Sequence, residues 1–266
     1  MSLRIVVTVK YVPDATGDRR FADDLTVARE DVDGLLSELD EYAVEQALQI
    51  SEDRRDRGDD DVEVTVLTVG PEDAKDALRK ALSMGADKAI HVEDDDLHGT
   101  DAIGTSLVLA KAVEKAGYDL VVSGMASTDG VMGVVPALLA ERLGVPQVTL
   151  LSEIAVSGGT VTGRRDGDAA SEQLEASLPA VVSVTDQSGE VRYPSFKGIM
   201  AAKKKPVESW DLSDLGLEAE EVGLEGAYTV VGSATERPAR TAGTVVKDEG
   251  EGGKRLAEFL AGQKFI

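Results

Sequence analysis

Ile5-Val6-Val7-Thr8-Val9 is an unbroken β-branched run close to the start of the chain. Such a run favours a strand, and a strand that is apolar at consecutive positions is covered on both faces. Further short runs of the same kind follow at Val62 to Val69, Ala89-Ile90-His91-Val92, Leu120-Val121-Val122 and Val181-Val182. Helical spacing fills the intervals: Val44, Ala47 and Leu48; Ala74, Ala77, Leu78, Ala81 and Leu82; Ile103, Leu107 and Ala110; Val135, Leu138 and Leu139. Strands alternating with three-and-four-spaced helices predict an α/β fold, a mainly parallel Rossmann-like sheet flanked by helices. Gly85 and Gly117 mark helix C-termini, Thr100 reads as an N-cap and Pro71 as a first-turn proline.

Outward from this core the pattern changes. From Val148 to Val184 the period shifts toward two, with Ser157-Gly158-Gly159-Thr160 and Gly163 to Asp168 as turns, so an edge hairpin is expected. Arg192 to Pro206 is apolar and basic without a core-like period, and Trp210 to Ala242 is acidic and weakly patterned. These shifts divide the chain into an α/β nucleotide-binding core over 1–190, a segment over 191–207 and an extended C-terminal arm over 208–266. The arm ends in an amphipathic pattern at Leu256, Phe259 and Leu260 that needs something to pack against.

Composition narrows the function. Fifty Asp and Glu against 28 Lys and Arg give a formal charge of -22, which repels phosphate backbones and argues against nucleic acid as a partner. So acidic a chain suits a salt-rich cytoplasm. There is no cysteine, which removes disulfides, iron-sulfur clusters, thiolate zinc sites and cysteine nucleophiles. Met1-Ser2-Leu3-Arg4 leads straight into the first strand without a signal-like pattern, and no apolar stretch approaches a membrane span, so a cytoplasmic protein that is not membrane-embedded is expected.

Side-chain catalysis is hard to find. His91 and His98 lack a second ligand at metal spacing and read as structural or solvated. No nucleophile elbow accompanies them, and Asp/Glu pairs carry no information in so acidic a chain. Gly250-Glu251-Gly252-Gly253-Lys254-Arg255 lacks the Ser or Thr and the preceding strand of a phosphate loop, and reads as a turn before the last helix. Lys10-Tyr11-Val12-Pro13-Asp14 stands where a dinucleotide fingerprint would follow the first strand. Any chemistry therefore comes from a cofactor.

The candidate cofactor site is the loop Ser123-Gly124-Met125-Ala126-Ser127-Thr128-Asp129-Gly130, which leaves one strand and opens a helix expected near Val131 to Gly133. The N–H groups there, on Gly133, Val134 and Val135 among others, can hold a phosphate, and Ser127, Thr128 or Asp129 can meet ribose hydroxyls. A plain helix cap by Thr128 or Asp129 explains the same residues equally well. Thr8, Lys10 and Asp14 after the first strand, with Val69 and Gly70 after the second, would line the same crevice.

Several stretches resemble one family, the β subunits of electron transfer flavoproteins. The most specific is Arg192-Tyr193-Pro194-Ser195-Phe196-Lys197-Gly198-Ile199-Met200-Ala201-Ala202-Lys203-Lys204-Lys205. Lys10 to Asp14, Asp40-Glu41-Tyr42-Ala43-Val44-Glu45, Ala81 to Asp87, Gly144 to Thr149 and Arg240 to Gly243 support it in order along nearly the whole chain. The resemblance implies a heterodimer with an α subunit holding FAD, and AMP or a second FAD in the β subunit. It implies docking of partner dehydrogenases at Tyr193, Phe196, Lys197, Ile199, Met200, Lys203, Lys204 and Lys205, and an arm that wraps the α subunit. Acyl-CoA-type dehydrogenases would be donors and a quinone-linked oxidoreductase the acceptor. Val131-Met132-Gly133-Val134-Val135-Pro136 replaces polar side chains that many relatives have after Asp-Gly, and Ser37-Glu38-Leu39 stands where they often have Asn-Pro-Phe. This favours AMP over a second FAD, with an empty site as the remaining alternative. An electron-bifurcating, NADH-linked complex and a free-standing ATP/AMP-binding module are the competing readings.

Overall fold

A computed structural model describes residues 2–17, 19–30, 32–59, 61–240, 243 and 245–266. Thr241 and Ala242 of the Arg240 to Gly243 stretch lie outside the described residues. In chain order the elements are β1 (Leu3–Thr8), β2 (Tyr11–Pro13), β3 (Gly34–Leu36), α1 (Glu38–Asp56), β4 (Val62–Val69), α2 (Lys75–Met84), β5 (Lys88–Val92), α3 (Ala102–Ala116), β6 (Leu120–Gly124), α4 (Val135–Leu143) and β7 (Gln147–Leu151). There follow β8 (Glu153–Ser157), β9 (Thr160–Asp166), β10 (Ser171–Ser177), β11 (Ala180–Val184), α5 (Phe196–Ala202), β12 (Val207–Trp210), α6 (Leu212–Leu215), α7 (Gly223–Gly226) and α8 (Gly252–Gly262).

The central sheet has seven strands in the order β12-β5-β4-β1-β6-β11-β7, and each neighbouring pair is parallel. This is the expected α/β class. The β-branched runs are apolar at successive positions because both faces are covered. Ile5 and Val7 meet α1 and α2 through Ala43, Ala47, Leu78 and Leu82, while Val6 meets α3 and α4 through Val108 and Leu139. The expected edge hairpin is a three-stranded antiparallel sheet, β10-β9-β8. Its residues Val161 and Ala176 join the core on the α1 side.

Several local expectations shift. Gly85 and Gly117 do end α2 and α3. Asp101, one residue beyond Thr100, caps α3 by accepting from Gly104 N at 2.9 Å, while Thr100 Oγ1 donates to Leu97 O and accepts from Gly223 N. Pro71 precedes a 3-10 turn, Glu72–Ala74, that leads into α2.

The stretch after 207, expected as an arm without a core, is in part core. β12 pairs with β5, Lys115 Nζ lies 4.4 Å from the centre of the Trp210 ring, and Leu212, Leu215, Leu217 and Val222 are buried beside α3. Weak periodicity hid it because an edge strand has one free side and the helices that follow are four residues long. The compact unit runs to Gly232, and Ser233–Ile266 forms a second unit. Within that second unit α8 carries Leu256 and Phe259 exposed, and Gly252 and Gly253 are its first residues.

Candidate functional site

The strand order reverses at β1: β4 and β5 extend to one side, β6 and β11 to the other. Crossovers on opposite faces leave a crevice at the carboxyl ends of β1 and β6, the usual ligand position in open α/β sheets. The two ends are joined directly. Thr8 pairs in register with Ser123, and their hydroxyls are 2.7 Å apart and buried.

Asp40, in the first turn of α1, closes the floor. Its Oδ2 accepts from Lys10 N at 2.8 Å, and a further bond comes from Gly124 N–H. Gly124 has to be glycine, since a Cβ there would meet the Asp40 carboxylate and lie 2.8 Å from Leu39 O. Burial pushes the Asp40 carboxyl up to about 7, against the pull of the Lys10 backbone bond and the Lys10 charge. Among three acidic residues in that helix turn, only Asp40 is fully buried. The sequence offered no way to tell it from Glu38 and Glu41.

The loop after β6 does not follow the helix-cap reading. α4 starts at Val135 with Val134 as its uncapped N-cap, so neither Thr128 nor Asp129 caps it. Asp129 turns inward instead. Its Oδ1 accepts from Lys10 Nζ at 2.9 Å and from Gly130 N at 2.6 Å, and its Oδ2 accepts from Arg29 at 2.7 Å. Burial opposes its ionisation, but the Lys10 charge, the Ser127 hydroxyl and the Lys10 and Arg29 bonds prevail and hold it well below the usual carboxylate range. Both its oxygens are engaged within the chain, so it anchors the loop.

Arg19 adds a second tie, donating to Thr128 O at 2.9 Å and to Pro13 O at 3.2 Å. Arg29 also reaches Tyr11 O at 3.4 Å, and Asp24 and His98 form a hydrogen-bonded pair 2.7 Å apart. The excursion between β2 and β3 is thus strapped across the carboxyl edge of the sheet. Sequence reasoning missed Arg19 and Arg29, and nothing local distinguishes them; the bonds that matter span about a hundred residues. His98 is a surface tether. His91 is fully buried with Nε2 bonded to Gly70 O at 2.9 Å, and burial pushes its pKa down. Both agree with a structural role.

What remains open at the crevice is backbone. Val131 and Gly133 sit at φ 55° and 66°, and among the described residues the N–H groups of Met132, Gly133 and Val134 have no protein partner. Val131 and Met132 are exposed. No side chain from Val131 to Val135 can donate a hydrogen bond, so a phosphate at this helix start would be held by amides and the positive dipole end alone. Ser37 and Thr68 are buried with hydroxyls that lack a partner. They stand at the start of α1 and near the end of β4, on the carboxyl edge of the sheet. Orphaned groups of this kind are usually satisfied by a bound polar molecule or water. Asp14 is engaged in its own turn, accepting from Thr16 N and Oγ1, and borders a cavity of about 370 Å³ with Thr16, Arg20 and Asp33. Val69 lies half-buried at the end of β4.

The second candidate surface is α5. Tyr193 and Phe196 are 94% and 81% exposed, an unusual state for aromatics, and Ile199 and Met200 are about half exposed beside them. Ser195 caps the helix by accepting from Gly198 N at 3.0 Å. Lys197, Lys203 and Lys204 are exposed around the apolar face. Lys205 differs: its ammonium donates to Leu82 O, Gly85 O and Ala86 O at 3.0, 3.1 and 2.5 Å. It ties down the carbonyl end of α2 rather than extending the exposed basic patch.

Among the described residues no helix is long and apolar enough to cross a membrane, and no cluster of His, Cys, Asp and Glu is arranged to hold a metal ion. Fold and crevice define the class as a doubly wound, Rossmann-like α/β protein with its ligand edge at the β1/β6 reversal. The electron transfer flavoprotein domain matches residues 24–215. Electron transfer flavoprotein subunit beta of Mycobacterium tuberculosis is 51% identical over 266 residues, covering 98% of this chain and 99% of that protein. The subunit beta of Mycobacterium leprae is 52% identical over 264 residues, with the same coverage, and that of Megasphaera elsdenii is 31% identical over 275 residues, covering 99% and 100%. The chain belongs to the electron transfer flavoprotein family, as a β subunit. Membership carries electron transfer, association with a flavin and an α-subunit partner.

Proposed function

We propose that this β subunit forms, with its α subunit, a mobile electron carrier that takes electrons from acyl-CoA-type flavin dehydrogenases and passes them to a quinone-linked oxidoreductase in the cytoplasm. FAD, held mainly by the α subunit, supplies the redox chemistry. This chain contributes the docking surface for donors, part of the flavin's surroundings and a site for AMP. No side chain of this subunit is asked to act as acid, base or nucleophile. The arm after Gly232 extends over the α subunit, which gives the exposed Leu256 and Phe259 of α8 an apolar surface to cover.

The observation that carries the reading is the exposure of Tyr193, Phe196, Ile199 and Met200 together on one short helix of a chain with charge -22. Large aromatics in the centre of a surface patch are the usual energetic anchors of protein interfaces. For the crevice, the amides of Met132 to Val134 and the absence of donor side chains on Val131 to Val135 suit one phosphate better than a pyrophosphate. Phe196→Ala in the purified heterodimer, assayed as electron acceptor for a medium-chain acyl-CoA dehydrogenase reduced by octanoyl-CoA, tests the docking role. The expected result is a rise in KM for the carrier of about 10- to 50-fold with flavin content unchanged; an unaltered KM defeats it. Nucleotides released on denaturing the same heterodimer should be one FAD and one AMP per pair, and two FAD would overturn the AMP assignment.

A further inference from the structure

We propose that Arg192, Gly198 and Lys205 are positioning residues that clamp α5 at both ends and in the middle, so that the docking face is a rigid hook formed before any partner arrives. The proposal rests on the docking reading above and adds to it the means by which the helix is held.

A helix of seven residues is not stable by itself in water, and one that exposes Phe196, Ile199 and Met200 gains little from burial. Only Val191 before it and Ala202 at its end pack against the core. Left to the hydrophobic effect alone, the segment would fray or fold Phe196 onto the protein surface. Polar clamps hold it instead.

At the entrance, the Arg192 guanidinium grips two carboxylates of α1. Nε and Nη2 donate to Glu45 at 2.6 and 3.0 Å, Nη1 and Nη2 donate to Glu52 at 2.6 and 2.9 Å, and the Arg192 backbone N–H reaches Glu45 at 3.2 Å. The Glu45 side chain is 5% exposed and Glu52 53%, so the Glu45 contact is the more shielded half of the grip. In the middle, Gly198 lies against α2 so closely that a Cβ would collide with the carbonyl oxygen of Ser83. At the exit, the Lys205 ammonium collects three carbonyls from the end of α2, and the chain then enters the sheet as Ala89 N donates to Pro206 O at 3.0 Å.

The clamps use α1 and α2, the helices whose Leu48 and Leu82 sit in the main core, so the hook inherits the rigidity of the sheet. Order established before association does not have to be imposed during it, which raises affinity without any added contact. Each clamp residue therefore acts through the helix and touches no partner itself.

The test uses the flavin-loaded heterodimer carrying Arg192→Gln, Lys205→Met, Lys205→Arg or Phe196→Ala. Two quantities are measured: amide hydrogen exchange of the peptide covering 193–204, and KM and kcat with medium-chain acyl-CoA dehydrogenase and octanoyl-CoA. Arg192→Gln and Lys205→Met should each speed exchange in 196–202 at least tenfold, leave exchange in the central strands unchanged, and raise KM about three- to tenfold at constant kcat and flavin content. Lys205→Arg should restore most of both. Phe196→Ala should raise KM while leaving exchange as it was. Unchanged exchange in both Arg192→Gln and Lys205→Met overturns the clamp even if Phe196→Ala impairs docking. Faster exchange with unchanged KM overturns the positioning role. An unchanged KM in Phe196→Ala instead overturns the docking reading, with the exchange data still deciding whether the helix is clamped.

Discussion

In the loop from Ser127 to Val134, the charged side chain points inward to Lys10 and Arg29 and the outward groups are backbone amides and aliphatic carbons. In the segment from Arg192 to Lys205, charges hold the two ends and the outward groups are aromatic and aliphatic. Both regions use charge-assisted hydrogen bonds as internal fastenings for a short stretch that cannot bury enough surface to hold itself. They differ in what they fasten. The first keeps a row of N–H donors open at a helix start, a surface suited to an anion. The second keeps apolar side chains open, a surface suited to another protein. On a chain this acidic most charge is exposed, whereas the carboxylates of Asp129 and Glu45 are 3% and 5% exposed and sit in charge-assisted bonds that fix local shape.

The most disruptive way to break the comparison is at the floor beneath the first region. Gly124→Val should destabilise the subunit by more than about 3 kcal/mol or abolish folding, because any side chain meets Leu39 O and Asp40; denaturant titration measures it. Asp129→Ala removes the anion between two cations, one of the two fastenings under comparison. It should lower stability by about 1–3 kcal/mol and reduce AMP retained by the heterodimer several-fold, while the KM for the dehydrogenase stays within about twofold. A shift in dehydrogenase KM equal to the loss of AMP would show that the two regions are not independent.

Asp40 gives a pH signature to the first region that the second lacks. With its native value near 7 and an unfolded value near 3.9, the folded protein keeps a proton that the unfolded chain has lost between those limits. The stability Asp40 confers is therefore fully present below about pH 4 and is lost as pH rises through 7. Stability of Asp40→Asn relative to the parent should climb between pH 4.5 and 7.5, by an amount of order 2 kcal/mol; curves that stay parallel would reject the assignment. The smallest effect is expected at the exposed lysines of the second region. Lys203→Gln with Lys204→Gln should leave the unfolding midpoint in place and change KM by about threefold or less at low salt, with the difference vanishing at high salt. A salt-independent change would mean that these lysines act by shape.

The β-branched runs and helical spacings were sufficient for the α/β class, since strands covered on both faces must be apolar at consecutive positions whatever lies in between. The segment Tyr193 to Met200 stood out as apolar beside lysines without a core-like period, and its docking role was what the family resemblance implied. Composition also ruled out thiol chemistry. Polar geometry was not legible in this way. From the sequence Asp129 reads equally well as a cap or a ribose ligand, and nothing local shows its bonds to Lys10 and Arg29, which lie 119 and 100 residues away. Lys205 looked like one more basic residue until the end of α2 arrived beneath it, and Glu208 to Val222 looked like arm until β5 and α3 offered it an edge and a face. Hydrophobic order repeats locally and can be read along the chain; a charge acquires its role from whatever tertiary contacts bring within 3 Å of it, and only the folded structure decides that.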